Sequence, residues 1–315
     1  ALATDLAPPE KRPQVVALLY VTLLVGMMIS ALIIGQLLLD FSPTKLVQIV
    51  QGAAALTMVL NVFALWKQEP RRPRNAAPIP DGPGFGEIWA GFVAKPGTKR
   101  LLMAIGLGAL AFSMQDALLE PFGGEILGLS VGATTGLTAA WALGALCAFT
   151  WCARRLAQGA EPLRLAGIGA VVGIIAFLMT LFAAPLGAAP LLYAGALTIG
   201  FGNGLFSVGT MIAAMELARD HDSGLALGAW GAVQASCAGL GIALGGVIRD
   251  GVAWWALSDG LGATLAYRAT GYGTVYFLEV VLLFATLIVL GPVAGLGANR
   301  DKATTRKFEL AEFPT

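Results

Sequence analysis

Two carboxylates near the end of a long apolar segment are the side chains best suited to chemistry in this chain. Asp116 and Glu120 lie four residues apart in the sequence Q-D-A-L-L-E-P-F-G-G, which begins at Gln115. On a continuous helix this spacing places both carboxylates on one face. Charged groups are costly near a bilayer and usually mark a polar site that faces the protein interior. The pattern therefore predicts a site for a ligand or a partner.

The same carboxylates have a second interpretation. Pro121, Gly123 and Gly124 follow them and predict the end of the helix. Counted from Leu101, Asp116 lies roughly 23 Å into a bilayer core of about 30 Å, in its outer half. At that depth Asp116 and Glu120 would stabilise the Gly-rich turn by accepting hydrogen bonds from its free backbone N–H groups. Both interpretations stay open at this point.

Asn203, within G-F-G-N-G, and Glu279, in the last apolar segment, are further candidates. We expect Glu279 about one helical turn into its span from the outer side. Asn203 lies inside a span, so its glycines favour close helix packing or a flat ligand over a dinucleotide site. The candidate pigment- or partner-binding residues are Gln115, Asp116, Glu120, Gly123, Gly124, Asn203 and Glu279.

Signatures of soluble enzymes are absent from the sequence. It contains no phosphate loop ending in G-K-[ST], no H-E-x-x-H and no C-x-x-C. The one histidine, His221, lies in a predicted turn, and the three cysteines have no metal-ligand spacing. We expect no catalytic residues, no resident metal and no enzyme activity.

The composition predicts a membrane protein. Hydrophobic residues make up 57% of the 315 residues and charged residues 12%, with a mean hydropathy of +0.76. Soluble domains carry about 25% charged residues. A net charge of +1 offers no field that would attract nucleic acid.

Eight apolar stretches are long enough to cross a bilayer as helices, and none alternates like a strand. They are Val15–Leu39, Leu46–Trp66, Leu101–Leu119, Val131–Trp151, Leu165–Leu186, Leu191–Met215, Gly224–Val247 and Val275–Ala294. With both termini in the cytoplasm, every Lys and Arg except Lys45, Arg249 and Arg268 falls on the cytoplasmic side, as the positive-inside rule requires.

The spacing of these spans predicts a major-facilitator-like, all-α bundle. Residues 1–67 would hold the last two spans of an N-terminal half, residues 68–100 a cytoplasmic linker, residues 101–296 a six-span C-terminal half and residues 297–315 a cytoplasmic tail. Two six-span halves joined by a cytoplasmic loop are the plan of that superfamily. Four further spans are therefore expected before Ala1.

Four stretches of the chain resemble the PucC/LhaA family, the bacteriochlorophyll-delivery branch of the major facilitator superfamily. They are Ala1–Leu19, Gln115–Thr135, Gly202–Asp220 and Gly224–Ala235. The superfamily's basic gating loop is reduced here to Trp151–Arg164, which keeps Arg154 and Arg155 without the acidic residue expected before them. This departure puts transport in doubt and favours a repurposed scaffold.

The resemblance implies an assembly factor for the light-harvesting complexes, LH1 or LH2, of purple photosynthetic bacteria. Its expected partners are the antenna α and β polypeptides, the reaction-centre–LH1 complex and membrane lipids, in the intracytoplasmic photosynthetic membrane. Its expected cofactors are transiently bound bacteriochlorophyll and carotenoid or lipid. Without an intramembrane histidine, the magnesium of the pigment would take its ligand from Asn203, Gln115, Glu120, a backbone carbonyl or a water, with Asn203 and Glu120 as the named candidates. Two alternatives stay open, a secondary transporter of a small solute and an inert subunit of a photosynthetic complex.

Overall fold

Long apolar helices make up the described part of the chain. The computed structural model describes residues 12–38, 42–65, 84–217, 223–258 and 267–309. In chain order its helices are α1 (Arg12–Leu37), α2 (Pro43–Leu65), α3 (Phe85–Ala94), α4 (Thr98–Ser113), α5 (Leu119–Leu127), α6 (Val131–Ala157), α7 (Pro162–Leu186), α8 (Ala189–Leu217), α9 (Ser223–Leu257) and α10 (Ala269–Glu309). The prediction of an all-α protein is confirmed.

Six of the described helices are long and apolar enough to cross a membrane. They are the segments Pro43–Ala64, Val131–Ala157, Pro162–Leu186, Ala189–Leu217, Gly224–Leu257 and Ala269–Gly291. Large apolar side chains on their outer faces are exposed, among them Val59, Phe182 and Ile288. Lipid tails would cover such faces in a bilayer. The count of eight spans and the cytoplasmic position of both termini stay predictions.

The third predicted span, Leu101–Leu119, is not one helix. Helix α4 ends at Ser113, a turn covers 114–118, and α5 begins at Leu119. Our prediction that Pro121, Gly123 and Gly124 end the helix is therefore wrong, because all three lie within α5. Pro121 is tolerated there because it occupies the first turn, where its missing N–H has no helical acceptor.

Helix α5 ends at a glycine in the left-handed conformation. Gly128 has φ of 67°, and the N–H of Leu129 donates to the carbonyl oxygen of Gly123 over 3.0 Å. Glycine takes this C-terminal position without the steric cost that a Cβ would bring. Ser130 then caps α6, its hydroxyl accepting from the N–H of Ala133 over 3.3 Å. Three residues, Gly128, Leu129 and Ser130, therefore suffice to connect α5 to α6.

Close helix approach holds the centre of the bundle. A Cβ on Gly144 of α6 would collide with the carbonyl oxygen of Leu197 in α8, and a Cβ on Gly200 would collide with that of Trp141. Both helix crossings require glycine, because the two backbones are in contact and leave no room for a side chain. The most extensive packing joins α7 to α8 and α6 to α8. Helix α8 is therefore the central element of the bundle.

The two ends of the bundle are defined by contacts distant in sequence. At one end the guanidinium of Arg100, in α4, donates to the carbonyl oxygen of Val289, in α10, over 3.1 Å. At the other end Arg249, in α9, pairs with Glu125, in α5. We call these the Arg100 end and the Glu125 end. The positive-inside rule predicts that the Arg100 end faces the cytoplasm.

The first two helices differ from the rest in their packing. Helix α1 lies against α6, where a Cβ on Gly35 would approach the carbonyl oxygen of Gly132 to 3.2 Å. Helix α2 has no buried side chain among its described residues, and most of them are exposed. The predicted linker, 68–100, is partly described and includes α3, which packs Phe92 against Ala226 and Ala229 of α9. The division into two halves stays a prediction.

Candidate functional site

The break between α4 and α5 creates a short non-helical turn inside the bundle. The N–H of Asp116 donates to the carbonyl oxygen of Ser113 over 3.1 Å, and that of Leu118 donates to Gln115 over 2.8 Å. These bonds to the third preceding residue replace the α-helical pattern. The carbonyl oxygen of Met114 lies against Gly245 of α9, where a Cβ would collide with it. A small residue at that point in α9 therefore leaves room for the turn.

Polar side chains of the turn bind one another. Gln115 is 2% exposed, and its amide nitrogen donates to the Asp116 carboxylate over 2.5 Å and to the Phe112 carbonyl oxygen over 3.5 Å. The amide oxygen of Gln115 is buried without a hydrogen-bond partner in the described structure. Asp116 itself is exposed at the residue level. The turn thus presents one engaged carboxylate and one unused acceptor.

Helix α10 presents three buried polar side chains toward this region. Tyr272, Tyr276 and Glu279 are all fully buried, and their spacing places them on one helix face. The ring of Phe122, in α5, makes edge contacts with both tyrosine rings at centroid distances of 5.3 Å. Glu279 is close enough to interact electrostatically with the Asp116 carboxylate. The structure therefore brings Gln115, Asp116 and Glu279 together.

Glu279 lies deeper than its sequence position predicted. Helix α10 begins at Ala269, six residues before the predicted start at Val275. Glu279 is therefore roughly 15 Å along the helix, near the middle of the 23-residue apolar segment Ala269–Gly291. The prediction of a position one turn from the outer surface is wrong. The helix start was misplaced because the aromatic and Gly-rich residues before Val275 resemble an interfacial loop.

Arg249 organises the Glu125 end of the bundle. Its guanidinium pairs with Glu125 over 2.5 Å and Asp250 over 2.6 Å, donates to the Tyr272 hydroxyl over 2.6 Å and lies 4.5 Å from that ring's centroid. The sequence interpretation missed this cluster because it ended the span at Val247, whereas α9 continues to Leu257. The four-residue spacing of Tyr272 and Tyr276 was the available signal for one packed face.

Glu120 occupies a different environment from Asp116. Its carboxylate accepts from the Thr138 hydroxyl over 2.6 Å, which ties α5 to α6. The predicted shared face of Asp116 and Glu120 is wrong, because the break at 114–118 places them on separate elements. Gly123 packs tightly, since a Cβ there would meet Leu129, Leu137 and Thr134 at 3.2–3.3 Å, whereas Gly124 has more room. Gly123 is thus explained by helix packing.

Asn203 belongs to a second polar row, between α8 and α9. The Ser207 hydroxyl donates to the amide oxygen of Asn203 over 3.3 Å, and the amide nitrogen of Gln234 donates to Ser207 over 3.5 Å. One turn along, the Trp230 ring nitrogen donates to the Thr210 hydroxyl over 3.1 Å. Asn203 is half-buried near the middle of α8. This hydrogen bonding joins Asn203 to the row and not to Glu279.

Clusters suited to a resident metal were not found in the part of the chain that the structure describes. No group of three or more His, Cys, Asp or Glu side chains there could hold a metal ion. His221, which the sequence places in a turn, lies outside the described residues.

Comparison with known proteins identifies the family. A family model described as PUCC protein matches residues 1–297. This chain belongs to the PucC family. Among PucC relatives, Protein PucC of Rhodovulum sulfidophilum is 54% identical over 255 residues, which cover 80% of this chain and 56% of that protein. A protein from the puhA-bchM intergenic region of Rhodobacter capsulatus is 51% identical over 320 residues, covering 100% of this chain and 67% of that protein.

More distant similarities fit the PucC assignment. A Rhodobacter capsulatus protein called the bacteriochlorophyll synthase 44.5 kDa chain is 29% identical over 95% of this chain and 69% of its own length. The chain spans 56–69% of the length of these three relatives. A crystal structure of a bacterial homologue of the human lysosomal transporter Spinster, inward-facing and occupied, aligns with a TM-score of 0.61 at 16% identity, covering 93% of this chain and 72% of the other. This PucC-family chain is therefore a multi-pass membrane protein with a fold of the major facilitator type.

Proposed function

We propose that this PucC-family protein is a non-enzymatic assembly factor for photosynthetic light-harvesting complexes of the LH1 or LH2 type. The observation that carries the proposal is the family match over residues 1–297, together with PucC relatives that are 42–54% identical. The intracytoplasmic photosynthetic membrane is the proposed location. Antenna α and β polypeptides and the reaction-centre–LH1 complex are the proposed partners.

The described helices offer a surface for a client helix. A Cβ added to Gly228, Gly231 or Gly239 of α9 would meet no atom within 4 Å, so a stripe of this helix is smooth and open. A single-span antenna helix could approach such a stripe closely, as small residues allow in membranes. We call Gly228, Gly231 and Gly239 the α9 glycine stripe and propose it as a docking surface.

Bacteriochlorophyll is the proposed transient cargo, with carotenoid or lipid as further apolar ligands. Within the described residues the amide oxygen of Asn203 accepts one long hydrogen bond, of 3.3 Å, and its side chain is half-buried. Glu120 is less suited as the magnesium ligand because its carboxylate already accepts from Thr138 over 2.6 Å. When bound, the pigment would supply a magnesium ion that could take an oxygen ligand from Asn203. A weak amide ligand would suit a pigment that is handed on.

Affinity purification of the tagged full-length protein from its native membrane tests the proposal. We expect antenna polypeptides by mass spectrometry and a bacteriochlorophyll absorbance band in mild detergent. Asn203→Ala is expected to lower the pigment content per protein by several-fold. Thr198→Ala, on the same helix, serves as the matched control. In the described structure the Thr198 hydroxyl donates to the backbone carbonyl oxygen of Ala194, one turn earlier in α8. Purification without antenna polypeptides or pigment would contradict the proposal.

A secondary transporter of a small solute is the alternative function. Two observations favour it, namely the fold similarity to a Spinster homologue and the buried Glu279 near the middle of its span. Buried intramembrane carboxylates often belong to ion or substrate pathways. Solute flux into proteoliposomes that is lost in Glu279→Gln would support this alternative. Flux equal to that of empty liposomes would remove it.

A further inference from the structure

Unsatisfied polar atoms are concentrated where α10 faces the α4–α5 turn. Both carboxyl oxygens of Glu279, the hydroxyl of Tyr276 and the amide oxygen of Gln115 are buried without a hydrogen-bond partner in the described structure. All three side chains are at most 2% exposed. Buried polar groups are almost always hydrogen-bonded, so each exception indicates a missing partner. Here the exceptions adjoin one another on two packed elements.

Charged groups around Glu279 do not compensate its charge. The Asp116 carboxylate, on the facing turn, has the same sign and interacts unfavourably with it. Arg249, on α9, is engaged by Glu125, Asp250 and Tyr272. Tyr276, on the same helix as Glu279, is neutral, and the backbone N–H of Gln115 lies near the Glu279 carboxylate and favours its charge without neutralising it.

Two further helices that pack against α10 carry ionisable side chains only in their first turns, namely Arg164 in α7 and Lys99 and Arg100 in α4. Arg164 lies in the first turn of α7, at the Arg100 end, and pairs with Glu161 over 3.3 Å. An isolated carboxylate in an apolar interior is strongly disfavoured unless it is neutralised. No cationic side chain in the described part of the chain therefore neutralises Glu279, and a small cation from the solvent would do so.

We propose that Glu279, Tyr276 and Gln115 bind a small monovalent cation, a sodium ion or a proton. Either cation neutralises the Glu279 carboxylate and interacts with the acceptors that lack a donor. The site offers one buried carboxylate and neutral oxygens, whereas calcium sites use six to eight oxygen ligands and usually several carboxylates. Interrupted membrane helices hold sodium ions and protons in a similar way, with irregular backbone beside the ion.

Thermal unfolding of the purified full-length protein in lipid nanodiscs tests the site, followed by tryptophan fluorescence. Sodium chloride is exchanged for choline chloride at constant ionic strength in one series, and pH is varied without sodium in the other. A ligand that binds only the folded state raises Tm with its concentration. Tm that rises with sodium identifies a sodium site. Tm that is indifferent to sodium but rises as pH falls identifies a proton site.

Glu279→Gln is the decisive variant because it keeps the shape of the side chain and removes its charge. We expect the cation-dependent shift in Tm to be lost, while Tm without the cation is at least that of the wild type. Glu216→Gln changes an exposed carboxylate on α8 and should keep the wild-type dependence. A wild-type Tm that responds to neither cation, or a Glu279→Gln protein that responds as the wild type does, would overturn the proposal.

Glu279→Asp provides a second test in case the Glu279→Gln protein does not fold. It keeps the carboxylate but shortens its reach, so the shift in Tm should persist and need a higher cation concentration. Infrared difference spectra between high and low cation concentration give an independent readout. The wild type should show a carboxyl band that moves in Glu279→Asp, and identical bands in both proteins would contradict the assignment.

Discussion

Arg249 joins three helices at the Glu125 end. It connects α9 to Glu125 of α5 and to Tyr272 of α10, and its side chain is 23% exposed. Hydrogen bonds between charged groups are worth about 1.5–3 kcal/mol when partly buried. An exposed ion pair contributes roughly 0–1 kcal/mol. The Arg249 cluster should therefore dominate the charge contribution to stability at this end.

Replacing Arg249 tests this difference. Arg249→Met keeps most of the side-chain volume and should lower Tm clearly, with a loss of roughly 2 kcal/mol, because Glu125 is left without its partner. Arg164→Met is the matched control, since its side chain is 75% exposed and, in the described part of the chain, pairs with Glu161. Thermal unfolding of both variants in the same detergent provides the measurement. Equal changes in Tm would show that the Arg249 contacts add nothing beyond a surface pair.

Sequence reasoning at the residue scale named Gln115, Asp116 and Glu279 but could not bring them together. Residue type and expected depth marked each carboxylate as unusual, which requires only hydropathy. Their proximity depends on the packing of α10 against the α4–α5 turn, and hydropathy contains no information on packing. The prediction that Asp116 and Glu120 share one face failed for a different reason. Helical spacing applies only to an unbroken helix, and the chain is not helical at 114–118.

The turn after α5 is the element that fixes the direction of the chain between α5 and α6. Gly128 requires a positive φ there, and an L side chain in that conformation costs roughly 1–2 kcal/mol. Gly124, four residues earlier, is helical, and a Cβ on it would meet its nearest atoms at 3.8–3.9 Å. The two glycines therefore differ only in what the backbone demands of them.

Alanine substitutions separate these two requirements. Gly128→Ala should destabilise the protein by about 1 kcal/mol because its backbone conformation is strained. Gly124→Ala should leave stability unchanged or raise it by up to about 1 kcal/mol, because alanine favours helix. The midpoint of thermal unfolding distinguishes the two. A loss at Gly124 as large as that at Gly128 would show that the glycine pair is required for another reason.

The α9 glycine stripe yields a prediction that rests on the proposed function. Gly239→Leu places a bulky side chain on the exposed stripe and should reduce co-purifying antenna polypeptide several-fold, because the two helix backbones can no longer approach. Gly52→Leu, on exposed α2, is the matched control since a Cβ there also meets nothing within 4 Å. Quantitative mass spectrometry of both purified variants measures the difference. Equal antenna content in the two variants would show that the α9 glycine stripe is not the docking surface.

Architecture at the scale of the whole molecule followed from composition and span spacing. Hydropathy predicted helices at every described span because a bilayer requires about 20 apolar residues, and the fold similarity confirms the major facilitator type. Helix ends were less predictable. Helices α9 and α10 extend beyond the predicted spans through Arg249 and Tyr272, since polar and aromatic residues can continue a helix past the bilayer when neighbours bind them.

Whether the predicted C-terminal half must change shape during assembly is tested by joining two of its helices at the Glu125 end. Glu125 and Arg249 meet there on α5 and α9, and in a protein without native cysteines the double variant Glu125→Cys/Arg249→Cys can be joined by a short, cleavable bis-maleimide. The reduced gating loop, Trp151–Arg164, favours a rigid scaffold. We therefore expect newly labelled antenna polypeptides to enter detergent-stable complexes at an unchanged rate after cross-linking. Arg249→Cys alone, treated identically, controls for the lost ion pair. A rate that falls on joining and recovers when the linker is cleaved would instead show that α5 and α9 must separate during assembly.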